Sequence, residues 1–165
     1  MYNTNYVISG LMTGTQWDVM INKINSIDSS KSLTNSTWGN FKNQSIIYTG
    51  KIASATYTSN IWYLTTFSNY SKNATKPLTS GTAGWLLTTG ASEQAKAYNL
   101  YDVAGSLWEW TEESSLYGGT MTSQYRSMRG ASFAASDYAA CYRQTNISDN
   151  TLSLTYGFRV VLYMK

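Results

Sequence analysis

The sequence predicts an α+β protein with one clear helix, several short strands and long ordered loops. Three observations point there. One segment carries apolar residues at helical spacing, and the C-terminal run alternates as a strand does. The stretches between them are rich in Ser, Thr, Asn and Tyr but are punctuated by tryptophans. The helix is "GTQWDVMINKINSI", Gly14 to Ile27, where Trp17, Met20, Ile21, Ile24 and Ile27 form one apolar stripe. Thr15 is the expected N-cap. In "NSTWGNF", Trp38 precedes Gly-Asn, the pattern of a turn with an anchoring aromatic. "QSIIYTG" is a short β-prone run. Residues 53–76 show no clear period and read as loop, with Trp62, Tyr63 and Leu64 dipping into the core. Trp85-Leu86-Leu87 precedes a turn-like "TTGAS". "WEWTEES" opens as a strand, and "SQYRSMRGASFAAS" and "YGFRVVLYMK" read as two more. The last puts Phe158, Val160 and Leu162 on one face and Arg159, Val161 and Tyr163 on the other.

The chain has 165 residues, the size of one domain, and a hydrophobic share of 42% supports a real core. Charged residues are 13%, about half the usual share of roughly 25%. With 14 Tyr and 6 Trp, the surface must be built largely from Ser, Thr, Asn and Tyr, the chemistry of adaptable binding loops. The net charge of +3 comes without a run of Lys or Arg, so nucleic acid is not an expected partner. No apolar run is long enough to insert in a membrane, and "MYNTNYVISG" is not a secretory signal. Cys141 is the single cysteine, which excludes an internal disulfide. The absence of His excludes imidazole acid–base chemistry, a Ser-His-Asp triad and His-bearing zinc sites.

Within "YNLYDVAGSLWEWTEE", Trp108 and Trp110 flank Glu109. In an extended segment the two indoles share one face and the carboxylate takes the other. The tryptophans are expected to fill core. Glu109, if covered by loops, needs donors, because an unpaired buried carboxylate is costly. Backbone amides, Arg129 or Arg159 are the available ones.

"NLYDVAGSLWEWTEE", then "YRSMRGASF", then "YGFRVVLY" resembles the formylglycine-generating enzyme, or sulfatase-modifying factor, family. Its pattern runs Asn-x-Tyr-Asp-x-x-Gly-Asn-x-Trp-Glu-Trp, Arg-Gly-Gly-Ser and Gly-Phe-Arg. Upstream, "GLMTGTQWDVMINKI" and "STWGN" are similar to its helix and Trp-Gly-Asn turn, whereas residues 40–80 match loosely. The resemblance implies a C-type lectin-like fold over residues 1–165, with a small twisted antiparallel sheet, and a chain that starts inside the family domain. It also implies a calcium site in which Glu109 joins the carbonyls of Ala104, Gly105 and Leu107, oxygen ligands of the kind calcium takes. Ser106 stands where the family has Asn, and Ala131 where it has the second Gly of Gly-Gly-Ser. A purely structural Glu109 is the alternative.

The family's oxidation of a substrate cysteine uses two cysteines of its own that bind copper. Here the segment after Ser132 reads "FAASDYAACYRQTN", with Ala134 and Ala135 nearest the first cysteine position. No pair exists, so the expectation is a protein that is not an enzyme and needs no cofactor. A second branch of the same family resembles it better: the non-catalytic variable proteins of diversity-generating retroelements, carried by phages, prophages and bacteria. In that branch the segment between the Arg-Gly-Gly-Ser and Gly-Phe-Arg motifs binds ligand. Here that segment holds Ala, Ser, Asp, Tyr and Thr, residues that adenine mutation of Asn codons produces. The candidate binding face is therefore Ala134, Ala135, Ser136, Asp137, Tyr138, Tyr142, Gln144, Asn146, Ser148 and Asn150, with the two tyrosines as anchors. The expected partner is a protein or glycan on a cell surface, or a second copy in a larger assembly. The expected location is extracellular, on a cell surface or on a virion. A degenerate oxidase relative and a structural subunit of an extracellular or virion assembly are the alternatives.

Overall fold

The computed structural model describes residues 6–34, 36–44, 47–48, 53–58, 61–67, 74–75, 86–87, 89–136 and 138–164. Trp85 and Asp137 lie outside the described residues, as do the side chains of Trp62, Tyr63 and Leu64. Strand β1 (Val7–Leu11) leads into helix α1 (Gly14–Ile27). Short strands β2 (Ile47–Tyr48), β3 (Ala53–Thr58), β4 (Ile61–Phe67) and β5 (Ala74–Thr75) follow. A single 3₁₀ turn, Glu93–Ala95, precedes β6 (Lys96–Ala97) and β7 (Leu100–Tyr101). The main sheet comes from β8 (Trp108–Tyr117), β9 (Thr120–Arg129), β10 (Arg143–Ser148) and β11 (Tyr156–Phe158), and β12 (Val160–Met164) ends the chain's described part. Among the described residues one α-helix accompanies mostly antiparallel strands, which makes the protein α+β.

The helix forms where its apolar spacing predicts, and Trp17, Ile21 and Ile24 are buried. Ile27, the last residue of the stripe, is exposed, because the helix stops there and the chain turns away. The N-cap is Thr13, not Thr15. Thr13 Oγ1 accepts from the Gln16 amide at 3.2 Å, and Gln16 Oε1 accepts from the Thr13 amide at 2.9 Å. This reciprocal pair is a capping box, and its Thr-x-x-Gln spelling is present in the sequence. Trp17 anchors the helix, donating from Nε1 to the Ala140 carbonyl at 3.0 Å.

The four-stranded sheet runs β10-β9-β8-β11, antiparallel except for the parallel pair β8–β11. The C-terminal run splits where a single strand is expected. β11 pairs with β8, and β12 then leaves to pair antiparallel with β1. The break falls at Arg159, whose side chain is bonded inside the molecule. β1 and β10 carry no clear strand signal in sequence. Residues read as loop between 53 and 76 contain the antiparallel hairpin β3–β4. Thr, Tyr and Ile suit strands even where strict alternation is missing. The core joins Trp17, Ile21 and Ile24 to Trp38, Phe41, Val103, Trp108 and Met128. The Trp38 turn fits its anchoring role: Trp38 is buried and donates to the Ser32 carbonyl at 2.9 Å. Gly39 has φ +93°, and a Cβ there would lie 2.3 Å from the Ala104 carbonyl oxygen. A side chain at that turn would push away the loop that carries Gly105.

Candidate functional site

The site is built on β8. Trp108 is buried, Trp110 is partly buried, and Glu109 between them is buried on the opposite side of the strand. The parallel register sets Gly157 beside Glu109 and Phe158 beside Trp110, which brings the next residue, Arg159, to the carboxylate. Arg159 Nε donates to Glu109 Oε2 at 2.9 Å and Nη2 donates to Oε1 at 2.7 Å, with a further bond to the Tyr101 carbonyl at 3.1 Å. This two-bond fork is the strongest arrangement an Arg makes with a carboxylate. A Cβ on Gly157 would lie 2.8 Å from Leu107 Cδ1, so a larger residue there would make the Leu107 side chain shift.

Burial pushes the Glu109 carboxyl above its usual range, against the pull of Arg159, and nearby Asp102 adds to the rise. Asp102 is itself raised by burial, opposed by its bond from the Gly90 amide (2.9 Å) and by Arg159.

Two of the four donors expected for calcium, the Glu109 carboxylate and the Ala104 carbonyl, are already engaged within the protein. Both Glu109 oxygens face the guanidinium, which already supplies the positive charge, and the Ala104 carbonyl accepts from the Asn40 amide at 3.0 Å. Gly105 has φ +74° and its amide donates to the Gly130 carbonyl at 2.8 Å, while Leu107 packs against Gly157. The region ties loops together. Among the described residues no group of three or more His, Cys, Asp and Glu is placed to hold a metal.

The candidate binding residues that the structure describes, all but Asp137, do not form one patch. Tyr138 and Tyr142 come together, ring centroids 4.5 Å apart, and both pack on Trp108 at 5.4 and 5.9 Å. They are 37% and 40% exposed, half in the core and half in solvent. Ala134 is partly covered. Ala135 packs against the core, and its carbonyl accepts from the Lys42 amide at 2.9 Å. The Ser136 carbonyl accepts from Ser36 Oγ at 2.9 Å. Gln144, Asn146 and Ser148 lie along β10, which shifts register between Gln144 and Ile147 and holds Asn146 at φ +61°. At the far end of that strand from the tyrosines, Ser148 Oγ donates to Asn150 Oδ1, just beyond the strand, at 2.7 Å.

A charged network that sequence spacing does not signal surrounds Arg129. Arg129, 2% exposed at its side chain, donates to Asp18 (2.7 Å) and to the Cys141 carbonyl (2.7 Å), and lies 3.7 Å from Glu113. Arg143 bonds the other Glu113 oxygen at 2.8 Å. Glu113 abuts the first turn of α1, where a Cβ on Gly14 would lie 2.2 Å from Oε2. A carboxylate suits the positive end of a helix. The adjacent acids Glu112 and Glu113 are its one trace in the sequence, whose spacing does not show that β8 passes the helix start. Cys141 is partly buried and packs against the core.

With this geometry in place, the chain belongs to the sulfatase-modifying factor family. The profile of the sulfatase-modifying factor enzyme 1-like domain matches residues 28–164. That family is usually enzymatic, generating formylglycine. No curated protein and no solved structure matches the chain. The copper pair on which the resemblance rests that activity cannot be assembled from this chain's residues, because Cys141 is its only cysteine.

Proposed function

We propose that this protein is a non-catalytic binding module of the family. Its scaffold is read as C-type lectin-like, and its ligand as a protein or glycan on a cell surface. The observation that carries the reading is the Tyr138–Tyr142 pair, seated on buried Trp108 and half open to solvent. Rigid aromatics with one covered face lose little freedom on binding, and such residues dominate interface energies. The single cysteine supports a non-catalytic role. The Ala, Ser, Tyr and Asn content of residues 134–150 supports a retroelement-diversified protein of phage or prophage origin, acting outside the cell or on a virion.

The test is a binding screen against a glycan array and a panel of surface proteins, beside melting curves. Tyr138→Ala and Tyr142→Ala should each weaken binding by about 2 kcal/mol, the level of an anchor. Retained affinity in both variants would remove the tyrosines from the binding face. The oxidase reading makes a separate demand: turnover of a cysteine-bearing peptide with copper that disappears in Cys141→Ser. The expected result is no turnover in either protein.

A further inference from the structure

A groove of about 640 Å³ is lined by residues of β1, β8, β9, β11 and β12 and by Asp149, just after β10. Its volume is that of small-molecule sites, roughly 300–1,000 Å³. None of the candidate binding residues that the structure describes lines it, so it stands apart from the proposed ligand site. The walls are apolar. Leu11 and Trp110 are partly buried, while Phe158 and Val160 are 67% and 52% exposed. The parallel pairing of β11 with β8 holds Phe158 beside Trp110. Exposed apolar side chains gathered around a concavity, rather than scattered singly, mark a binding surface. Glu112, Asp149 and Arg126 complete the lining. The two acids are fixed through their backbones, and their side chains are exposed. The Glu112 amide donates to the Met12 carbonyl at 3.0 Å, and the Asp149 amide to the Gln124 carbonyl at 2.8 Å. Glu112 leans over β1, its Oε1 lying 3.2 Å from where a Cβ on Gly10 would be. Arg126 Nη1 donates to Ser114 Oγ at 2.8 Å, which ties the guanidinium to β8. Two acids against one base give the groove an excess of negative charge, on a chain whose net charge is +3.

We infer that this groove binds a small organic cation, an ammonium carried on an aromatic or aliphatic body. The body lies against Phe158, Trp110, Leu11 and Val160, and the ammonium meets the carboxylates of Glu112 and Asp149. The apolar walls decide against a metal ion, which needs a full shell of oxygen ligands. They suit an alkylated ammonium, whose carbon surface packs on them and whose charge is drawn to the faces of Trp and Phe rings. An anion would meet Glu112 and Asp149 as like charges, with Arg126 alone to oppose them.

The test titrates benzyltrimethylammonium into the nitrogen-15-labelled whole chain and follows amide and indole shifts by NMR. Neutral benzyl alcohol and anionic benzenesulfonate, which share the ring, are titrated beside it. Binding in the millimolar range is expected of a ligand with so few atoms. The shifts should gather at Gly10, Glu112, Asp149 and the Trp110 indole. The cation should bind about fivefold more tightly than the alcohol, and the sulfonate should not saturate. Glu112→Gln and Asp149→Asn should each weaken the cation about threefold and leave the alcohol unchanged. Phe158→Ala should weaken both. Glu93→Gln removes an exposed acid outside the groove and should change neither. All four substituted side chains are exposed, so melting temperatures should hold. The charge series on the native chain reads the same preference without any variant. No saturable shift with the cation, equal affinity for cation and alcohol, shifts centred away from the groove, or an equal loss in Glu93→Gln overturns the inference.

Discussion

Glu109 and Tyr142 both approach Trp108, one as its neighbour in β8 and the other across the segment that follows β9, yet they belong to opposite kinds of structure. The Glu109 region is closed. Its carboxylate is buried, both oxygens are bonded by Arg159, and glycines at 39 and 105 let backbones approach where a Cβ would clash. The Tyr142 region is half open. Its ring contacts are with Tyr138 and Trp108, and its backbone leads straight into a partly exposed strand. The difference teaches where sequence change is tolerated. Emptying a closed polar site leaves an uncompensated charge, whereas trimming a half-exposed ring removes some contacts and lets water in.

The largest effect expected from breaking this contrast is at Arg159. Arg159→Ala strands a buried carboxylate and should cost about 3–5 kcal/mol, read from urea unfolding. A loss under about 1 kcal/mol would mean that water reaches Glu109 freely. Trp110→Ala comes next, at about 2–4 kcal/mol. Trp110 is only partly buried and meets Tyr156 edge-on at 5.7 Å, so the cost falls at or below the low end for a fully enclosed aromatic. Ala135→Tyr should cost about 1–3 kcal/mol by overpacking, because Ala135 leans on the core although it sits in the candidate binding segment. Melting temperatures that stay level for Ala135→Tyr would return that residue to the open surface.

Tyr138→Ala and Tyr142→Ala should each cost only about 1 kcal/mol of stability, the worth of an aromatic contact, and move the melting temperature by a few degrees. Because the rings touch, the double variant should cost less or more than the sum of the two; strict additivity would separate them.

The smallest effect is on pH dependence, and its sign follows from burial. Glu109 and Asp102 have folded-state pKa values raised above their ordinary values. In the window between the ordinary and the raised value, the folded state binds more protons than the unfolded one. Stability from these groups therefore falls as pH rises through that window and is greatest below it. Exposed Asp28 and Glu93 are lowered by their bonds to Ser30 and Lys96 and act in the opposite sense, at lower pH. The clean measurement is the stability difference between the native chain and Glu109→Gln from pH 4 to pH 8. The native chain's advantage should shrink as pH rises. An advantage that grows with pH would show that Arg159 outweighs burial.

Sequence alone determined the α+β class, the position of α1, the buried Trp38 turn and the strand that opens at Trp108, because each depends on local spacing. Helical period and alternation are written in neighbouring residues. Sequence also narrowed the donors for Glu109 to Arg129, Arg159 and backbone amides. Only the tertiary structure chose among them. The parallel pairing of β11 with β8 carries Arg159 to Glu109, while Arg129 is taken by Asp18 from α1, far away in sequence. The same limit explains the hairpin β3–β4, the strand β10 and the splitting of the C-terminal run, all of which depend on which strand lies alongside. It also explains the candidate binding face, whose residues lie within the one segment 134–150 but, where described, divide in space. Tyr138 and Tyr142 gather on Trp108, and Ala135 turns to the core. Local pattern sets what a segment can become, and pairing across the chain sets what each side chain meets.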